Sequence, residues 1–202
     1  AVIRAEKNHM QHPELAVRVL IAAANSYLAM GKTDRAAEMV QKGLAVQMRE
    51  LPNALEDRAY LLSLHAYVIA GHDPKKCLEL AKEPVALHKK AKSNAGLANA
   101  LSVLVLAQYG VNDIEGALQT SRESVRVAAA NGGANVDSDI VTGLSNEAML
   151  LGMLGRHEEA AATHARVIEH RIKAFGSNSV SVANERMYYA LSLVSAKQYG
   201  QA

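Results

Sequence analysis

Apolar residues recur along this chain at helical spacings, broken at regular intervals by Gly, Pro and Asp. Ala37, Val40, Leu44 and Leu51 lie three, four and seven apart, the spacing that gathers side chains on one face of a helix. Leu15, Val19, Ala22 and Leu28 follow the same beat more loosely, as in a helix packed on two sides. The stops between runs divide the chain into predicted helices over about 14–30, 34–51, 53–70, 73–93, 94–109, 113–131, 137–154, 156–175 and 179–196. Pro13 suits a first helical turn, where its missing N–H is not needed. Asp34 is placed to cap the second helix, Pro52 stops it, and Gly132-Gly133 and Gly176 stop later ones. Pro84 falls inside a predicted helix; losing a backbone donor there costs about 3 kcal/mol and predicts a kink or break near Glu83.

The helices alternate in a fixed rhythm. A small residue opens each second helix at Ala36, Cys77, Ala117, Ala160 and Ala202, with successive spacings of 41, 40, 43 and 42. A steady period in this range marks stacked helix pairs, because one pair cannot bury its apolar face alone. The predicted fold class is therefore all-α, a solenoid of antiparallel helix pairs forming one elongated domain.

The residues at the turns carry a resemblance. Ala24 and Tyr27 precede Gly31 at a small-then-aromatic spacing, and Gly-x-x-x-x-Ala occurs at Gly31/Ala36 and Gly155/Ala160. His12-Pro13-Glu14-Leu15-Ala16 and, more loosely, residues 176–183 look like inter-repeat linkers. In these features the chain resembles tetratricopeptide (TPR) repeats of the long-period, kinesin-light-chain-like kind. That resemblance implies a right-handed α-α superhelix with about four full repeats, near 14–52, 53–93, 94–134 and 135–176. A partial repeat follows at 179–202, and residues 1–11 read as the tail of a preceding one. HEAT and armadillo arrays share a period of roughly 40–47 residues, but the Gly-then-small turn is tetratricopeptide-like. The pattern also departs from the family. Cys77 comes one residue late, Asn112 stands where Gly is expected, and the usual large aromatic of the second helix is replaced by Val40, Ala81, Ser121 and His164.

Composition narrows the function classes. Twenty-two Lys and Arg against 20 Asp and Glu give a formal charge of +2, too balanced to imply nucleic acid by bulk electrostatics. One Phe and no Trp leave little aromatic surface for stacking bases. The single cysteine, Cys77, fits a reducing, cytoplasmic setting and a buried structural thiol. No apolar run approaches the ~18 residues of a membrane span, so no membrane partner is expected. His157, His164 and His170 do not form a zinc-binding pattern, and Gly143-Leu144-Ser145-Asn146-Glu147 lacks the final Gly and the preceding strand of a nucleophile elbow. No phosphate-cradling Gly-rich segment occurs. No enzyme activity, metal or cofactor is expected, and the densest charge cluster, Lys75, Lys76, Lys82, Lys89, Lys90 and Lys92, reads as a solvated outer face.

The resemblance implies that the first helix of each pair lines a concave ligand groove. In the register of the small residues, one inward column is Arg18, Arg58, Asn99, Thr142 and Asn184, every member polar. A second reads Ile21, Leu61, Ser102, Ser145 and Met187, and a third Asn25, His65, Leu106, Met149 and Leu191. Asn146, beside the second column, matches a position where the kinesin-light-chain-like repeats carry an Asn facing bound peptide. The early part of the groove is thus basic and polar at Arg18, Asn25, Arg58 and His65, and the later part apolar at Leu106, Met149, Met187 and Leu191. The arginines suit carboxylates and the methionines adapt to apolar groups. The expected function is a non-catalytic protein-interaction module whose partner peptide or helix is acidic at one end. The alternative is a regulatory or sensor segment of a larger bacterial signalling protein, such as a protein kinase or transcription regulator. Both ends fall inside a repeat, which predicts flanking repeats or a homodimer in which one copy covers the ends of another.

Overall fold

The computed structural model describes residues 12–131 and 136–199. Among the described residues there are nine α-helices and no strand. They are α1 (Pro13–Ala29), α2 (Thr33–Glu50), α3 (Leu55–Ile69), α4 (Pro74–Ala91), α5 (Asn94–Gly110), α6 (Ile114–Asn131), α7 (Val136–Met153), α8 (His157–Phe175) and α9 (Val180–Tyr199). The expected tail at 1–11, the Gly132-Gly133 stop and Ala202 lie outside the described residues. The chain divides into two compact units, Ala1–Val111 and Asn112–Ala202.

In the first unit each helix packs on the next, and α3 also touches both α1 and α5. This is nearest-neighbour stacking, with the first helices of successive pairs side by side. The α1–α2 turn closes on Gly31, whose φ of +69° is open to a residue without Cβ. Gly31 N–H donates to Leu28 O at 2.9 Å and Lys32 N–H to Tyr27 O at 2.9 Å, which satisfies carbonyls the helix end would otherwise strand. Leu20, Ala24, Met39, Val40 and Leu64 form the core beneath, flanked by Tyr27, Leu44 and Tyr60. A Cβ built on Gly43 would stand 2.7 Å from Leu61 Cδ2, so the absence of a side chain lets α2 approach α3 closely. A second core joins Ala66, Cys77, Ala81, Val103 and Ala107. Cys77 is fully buried there, and burial pushes its thiol pKa up.

Two local expectations are corrected in this unit. The α2 helix begins a residue earlier than expected: Lys32 is the cap residue, its carbonyl accepting from Ala36 N–H at 3.1 Å, and Asp34 sits inside the first turn. Asp34 therefore acts only through the helix dipole. The break near Glu83 does not form either, since α4 runs from Pro74 through Pro84 to Ala91 as one helix. Pro84 and Val85 are both buried, and packing of α4 against α3 and α5 holds the helix across the one missing hydrogen bond. The start of α4 is firmly fixed: Asp73 caps it by accepting from Lys76 N–H at 2.9 Å, and Pro74 occupies the first turn.

In the second unit α6, α7, α8 and α9 pack in sequence. Asn112, where Gly was expected, adopts a φ of +63°; Asn is among the few residues with a side chain that tolerate this region. Asp113 then caps α6, accepting from Gly116 N–H at 3.1 Å. Gly155 repeats the geometry of Gly31, with φ +71° and Arg156 N–H donating to Leu151 O at 2.9 Å.

The position that carries a large aromatic in the family has a second life here. In the register of the repeats, Val40, Ala81, Ser121 and His164 are matched by Ala59, Ala100, Gly143 and Glu185 on the first helices, and all eight are buried. The early pairs are small and apolar. The Ser121 hydroxyl donates to Gly143 O at 2.7 Å, where a Cβ on Gly143 would come within 2.6 Å of Val125 Cγ2. In the last pair, His164 Nδ1 meets Glu185 Oε1 at 2.6 Å, and Arg171 Nε stands 3.3 Å from the other carboxylate oxygen. Tyr188 stacks on the His164 ring with centroids 6.0 Å apart.

Candidate functional site

The first-column residues are polar side chains, each with at least one buried neighbour along its helix. Arg18, Asn99, Thr142 and Asn184 are exposed and Arg58 is half-buried, whereas Val17, Ala59, Ala98, Ala100, Leu144 and Val182 are buried. Period 3.6 accounts for the contrast, since a step of one residue turns the side chain by roughly 100°.

In the first unit, Arg18 and Asn25 stand on α1, Arg58 and His65 on α3, and Asn99 and Ser102 on α5. Asn25 Nδ2 donates to Tyr60 Oη at 3.2 Å, tying α1 to α3 across this face. Arg58 Nη2 reaches Glu83 Oε1 on α4 at 2.6 Å, so its fork already has a carboxylate. Arg18 lies near Asp57, whose carboxyl is raised by burial and pulled back down in part by the Arg18 charge. Burial, aided by the Lys76 charge, lowers the His65 pKa, favouring a neutral imidazole at pH 7 that can donate or accept. Ser102 donates to Ala98 O at 3.2 Å within its own helix. The second-column Leu61 is fully buried and Leu106 is half-buried, so both belong more to the packing than to the surface.

In the second unit, Thr142, Ser145, Asn146 and Met149 stand on α7, and Asn184 and Met187 on α9. The Thr142 hydroxyl is spent on Ser138 O at 2.9 Å. Ser145 Oγ is buried without a hydrogen-bond partner, and Asn146 is half-buried beside it. Met149, Met187 and Leu191 are 45%, 52% and 57% exposed. These are large apolar side chains held in water. On α7 Met149 lies seven residues from Thr142, and on α9 Leu191 lies seven from Asn184, so each helix carries an apolar residue on the stripe of its polar column residue.

Elsewhere the surface offers less chemistry. Lys75, Lys76, Lys82, Lys89, Lys90 and Lys92 are all exposed on α4 and its C-cap, and Lys76 pairs with Glu79 at 2.9 Å. Among the described residues no group of three or more His, Cys, Asp or Glu side chains is placed to hold a metal ion. His164 is committed to Glu185, and His170 Nδ1 lies 3.2 Å from Asp137. No helix among them is long and apolar enough to cross a membrane.

The first-helix columns pass over one group of residues altogether. Arg122, Arg126 and Arg166 surround a cavity on α6, α7 and α8 in the second unit, together with Val125 and Glu147. The only sequence signal for it was the i, i+4 spacing of Arg122 and Arg126 on a second helix.

Comparison with known proteins agrees with this architecture. A tetratricopeptide-repeat family model matches residues 141–165, which span most of α7, the Gly155 turn and the first half of α8. Two solved structures of the nearly identical TPR-like repeats of a protein from Podosopora anserina, assigned as a kinesin light chain, are similar in fold. One, a variant with a single substitution, has a TM-score of 0.74 and 18% identity, covering 96% of this chain and 92% of that one. The other has a TM-score of 0.74 and 17% identity, covering 95% and 91%. No curated protein matches the chain in sequence. The helix-pair packing, the glycine turns and these likenesses together show an all-α fold of tetratricopeptide-like helix pairs, with one stretch, residues 141–165, that matches the tetratricopeptide-repeat model.

Proposed function

We propose that the chain is a non-catalytic protein-interaction module that holds a peptide or helix of a partner against the first helices of its pairs. The observation that carries this reading is the surface column itself. Arg18, Arg58 and Asn99 in the first unit and Thr142 and Asn184 in the second remain accessible beside buried residues such as Val17, Ala59, Ala98, Gly143 and Val182. Within the second unit, large apolar side chains stand exposed on α7 and α9. Isolated exposed apolar residues need no explanation, but several on one face mark an interaction site. Met149 and Met187 suit an adaptable apolar contact. Arg18 and Arg58 suit acidic groups; at Arg58 such a group binds by taking the place now held by Glu83. Helix-in-groove and extended-peptide binding are the two modes such a face serves.

The test is binding of an acidic peptide to the intact protein and to an Arg18→Glu, Arg58→Glu variant. Loss of affinity with helicity unchanged by circular dichroism is the expected result. Unchanged affinity contradicts the assignment of acidic recognition to these arginines. A Met187→Glu, Leu191→Glu variant tests the apolar face in the same way with an apolar helical peptide.

A further inference from the structure

We propose that the second unit carries a separate recognition site, in the cavity lined by Arg122, Arg126 and Arg166, for a doubly charged oxyanion group on a protein partner. Such a group is a phosphorylated side chain or two adjacent carboxylates. The site is independent of the first-helix face. Glu147 lies two residues from both Ser145 and Met149, and two residues turn a helix by roughly 200°. It therefore leaves α7 on the side away from them.

The charges around the cavity are unevenly committed. Glu147, only 7% exposed, is neutralised by Arg122, whose Nε donates to it at 2.8 Å. Arg122 Nη2 also approaches Glu159 at 3.5 Å, a carboxylate that Arg156 already holds through two bonds of 2.7 Å. Arg122 is thus a fixed part of the wall. Arg126 is different: it is exposed, and its Nε donates only to Arg122 O at 3.4 Å, leaving both terminal nitrogens of its fork open. Arg166 is exposed and has no ion pair among the described residues. Three guanidinium groups against one carboxylate leave the lining with a charge of 3 − 1 = +2.

The site is a largely open depression, where clustered like charges still raise the local potential, and the Val125 side chain supplies an apolar part of the lining. The cavity holds about 400 Å³, within the range of roughly 300–1,000 Å³ typical of ligand sites. Arginine forks suit phosphate and carboxylate oxygens, each able to bind two of them, and two uncommitted ones line this site. A single carboxylate would neutralise only one of the two uncommitted positive charges, so a doubly charged group is the better match to the pair.

The proposal is tested with three short peptides that differ only at their centre, carrying phosphoserine, Glu-Glu or Ser. Binding to the full chain is followed through the Nε–Hε resonances of the arginines. The phosphoserine peptide, with or without the Glu-Glu peptide, is expected to shift Arg126 and Arg166, while the Ser peptide leaves them in place. Binding of the phosphoserine peptide alone assigns the site to phosphate; binding of both assigns it to paired oxyanions in general. Arg126→Gln and Arg166→Gln should each weaken binding about tenfold or more. Arg186→Gln, on an exposed part of α9, should change it less than twofold. No shift with any peptide, equal shifts with all three, or equal weakening by Arg186→Gln would overturn the proposal.

Discussion

His164 and Glu185 occupy a position that is apolar in the earlier repeats, and this makes a quantitative test possible. The pair is buried, with Glu185 only 4% exposed and His164 8%, and its two atoms are 2.6 Å apart. His164→Val strands a buried carboxylate whose remaining counter-charge is Arg171, 3.3 Å away. Leaving a buried carboxylate without one of its hydrogen-bond partners costs about 1–3 kcal/mol, and the Arg171 contact places this case near the lower end. Glu185→Ala leaves an imidazole nitrogen unpaired and a small void, about 1–3 kcal/mol. The double variant reproduces the Val40 and Ala59 pair of the first unit, and leaves only the part-buried Arg171 without its carboxylate. Replacing both members of a buried pair by apolar residues is often close to neutral. The double variant should therefore lose less stability than the two single variants added together, with a coupling energy of about 1 kcal/mol. Native-state amide exchange at Val167 and Val182, both fully buried on α8 and α9, reads the second unit directly, each 1.4 kcal/mol appearing as a roughly tenfold change in rate. If the two single losses simply add in the double variant, the pair is not an energetic unit and the equivalence of the repeats at this position is wrong.

Other outcomes follow from the packing. Gly43→Ala gains about 1 kcal/mol of helix propensity, but its Cβ would stand 2.7 Å from Leu61 Cδ2 and 3.4 Å from Cδ1. Leu61 is fully buried, so overpacking of about 1–3 kcal/mol should win and lower the melting temperature. Gly152→Ala, with nothing within 4 Å of the new Cβ, should raise it. Burial lowers the pKa of His88, which is 2% exposed, so the unfolded chain holds that proton more tightly. Stability should be level above the ordinary histidine pKa near 6.5 and fall as pH drops below it, by up to about 1.4 kcal/mol per unit until the folded-state pKa is reached. His65 acts in the same direction, and urea melts of His88→Leu from pH 7 to 5 should show a shallower decline than the parent. Cys77, fully buried with its thiol pKa raised, should resist a thiol reagent in the native state and react on unfolding.

The parts of this fold that were legible in sequence are those set by local chemistry and by period. Gly31 and Gly155 announced turns because a positive φ selects glycine, and the beat of small residues announced stacking because Ala36, Cys77, Ala117 and Ala160 all sit where two helices meet, fully buried. Asn112 looked like a defect and is not one, since it takes the same backbone region. Pro84 was misjudged for the opposite reason: a local rule was outweighed by tertiary packing on α4 that no single-helix pattern reveals.

Register alone predicts a common face for the column residues, and of these Arg18, Asn99, Thr142 and Asn184 are exposed. Register could not reveal that Arg58 turns to Glu83 or that Thr142 bonds back to Ser138, because both depend on rotamers. The arginine cavity was beyond reach for a related reason. Its members come from three helices, and only packing shows which charges face one another.

Site-specific photo-crosslinking tests the central claim most directly. A photoreactive residue is placed at Asn99 or Asn184 on first helices and, as a control, at Lys82 or Lys89 on α4, all four exposed, and the protein is mixed with the proteins of its own source. A partner captured from both first-helix positions and from neither control position is the predicted result. Capture from the α4 positions alone, or equally from all four, would contradict the assignment of the first helices as the binding surface.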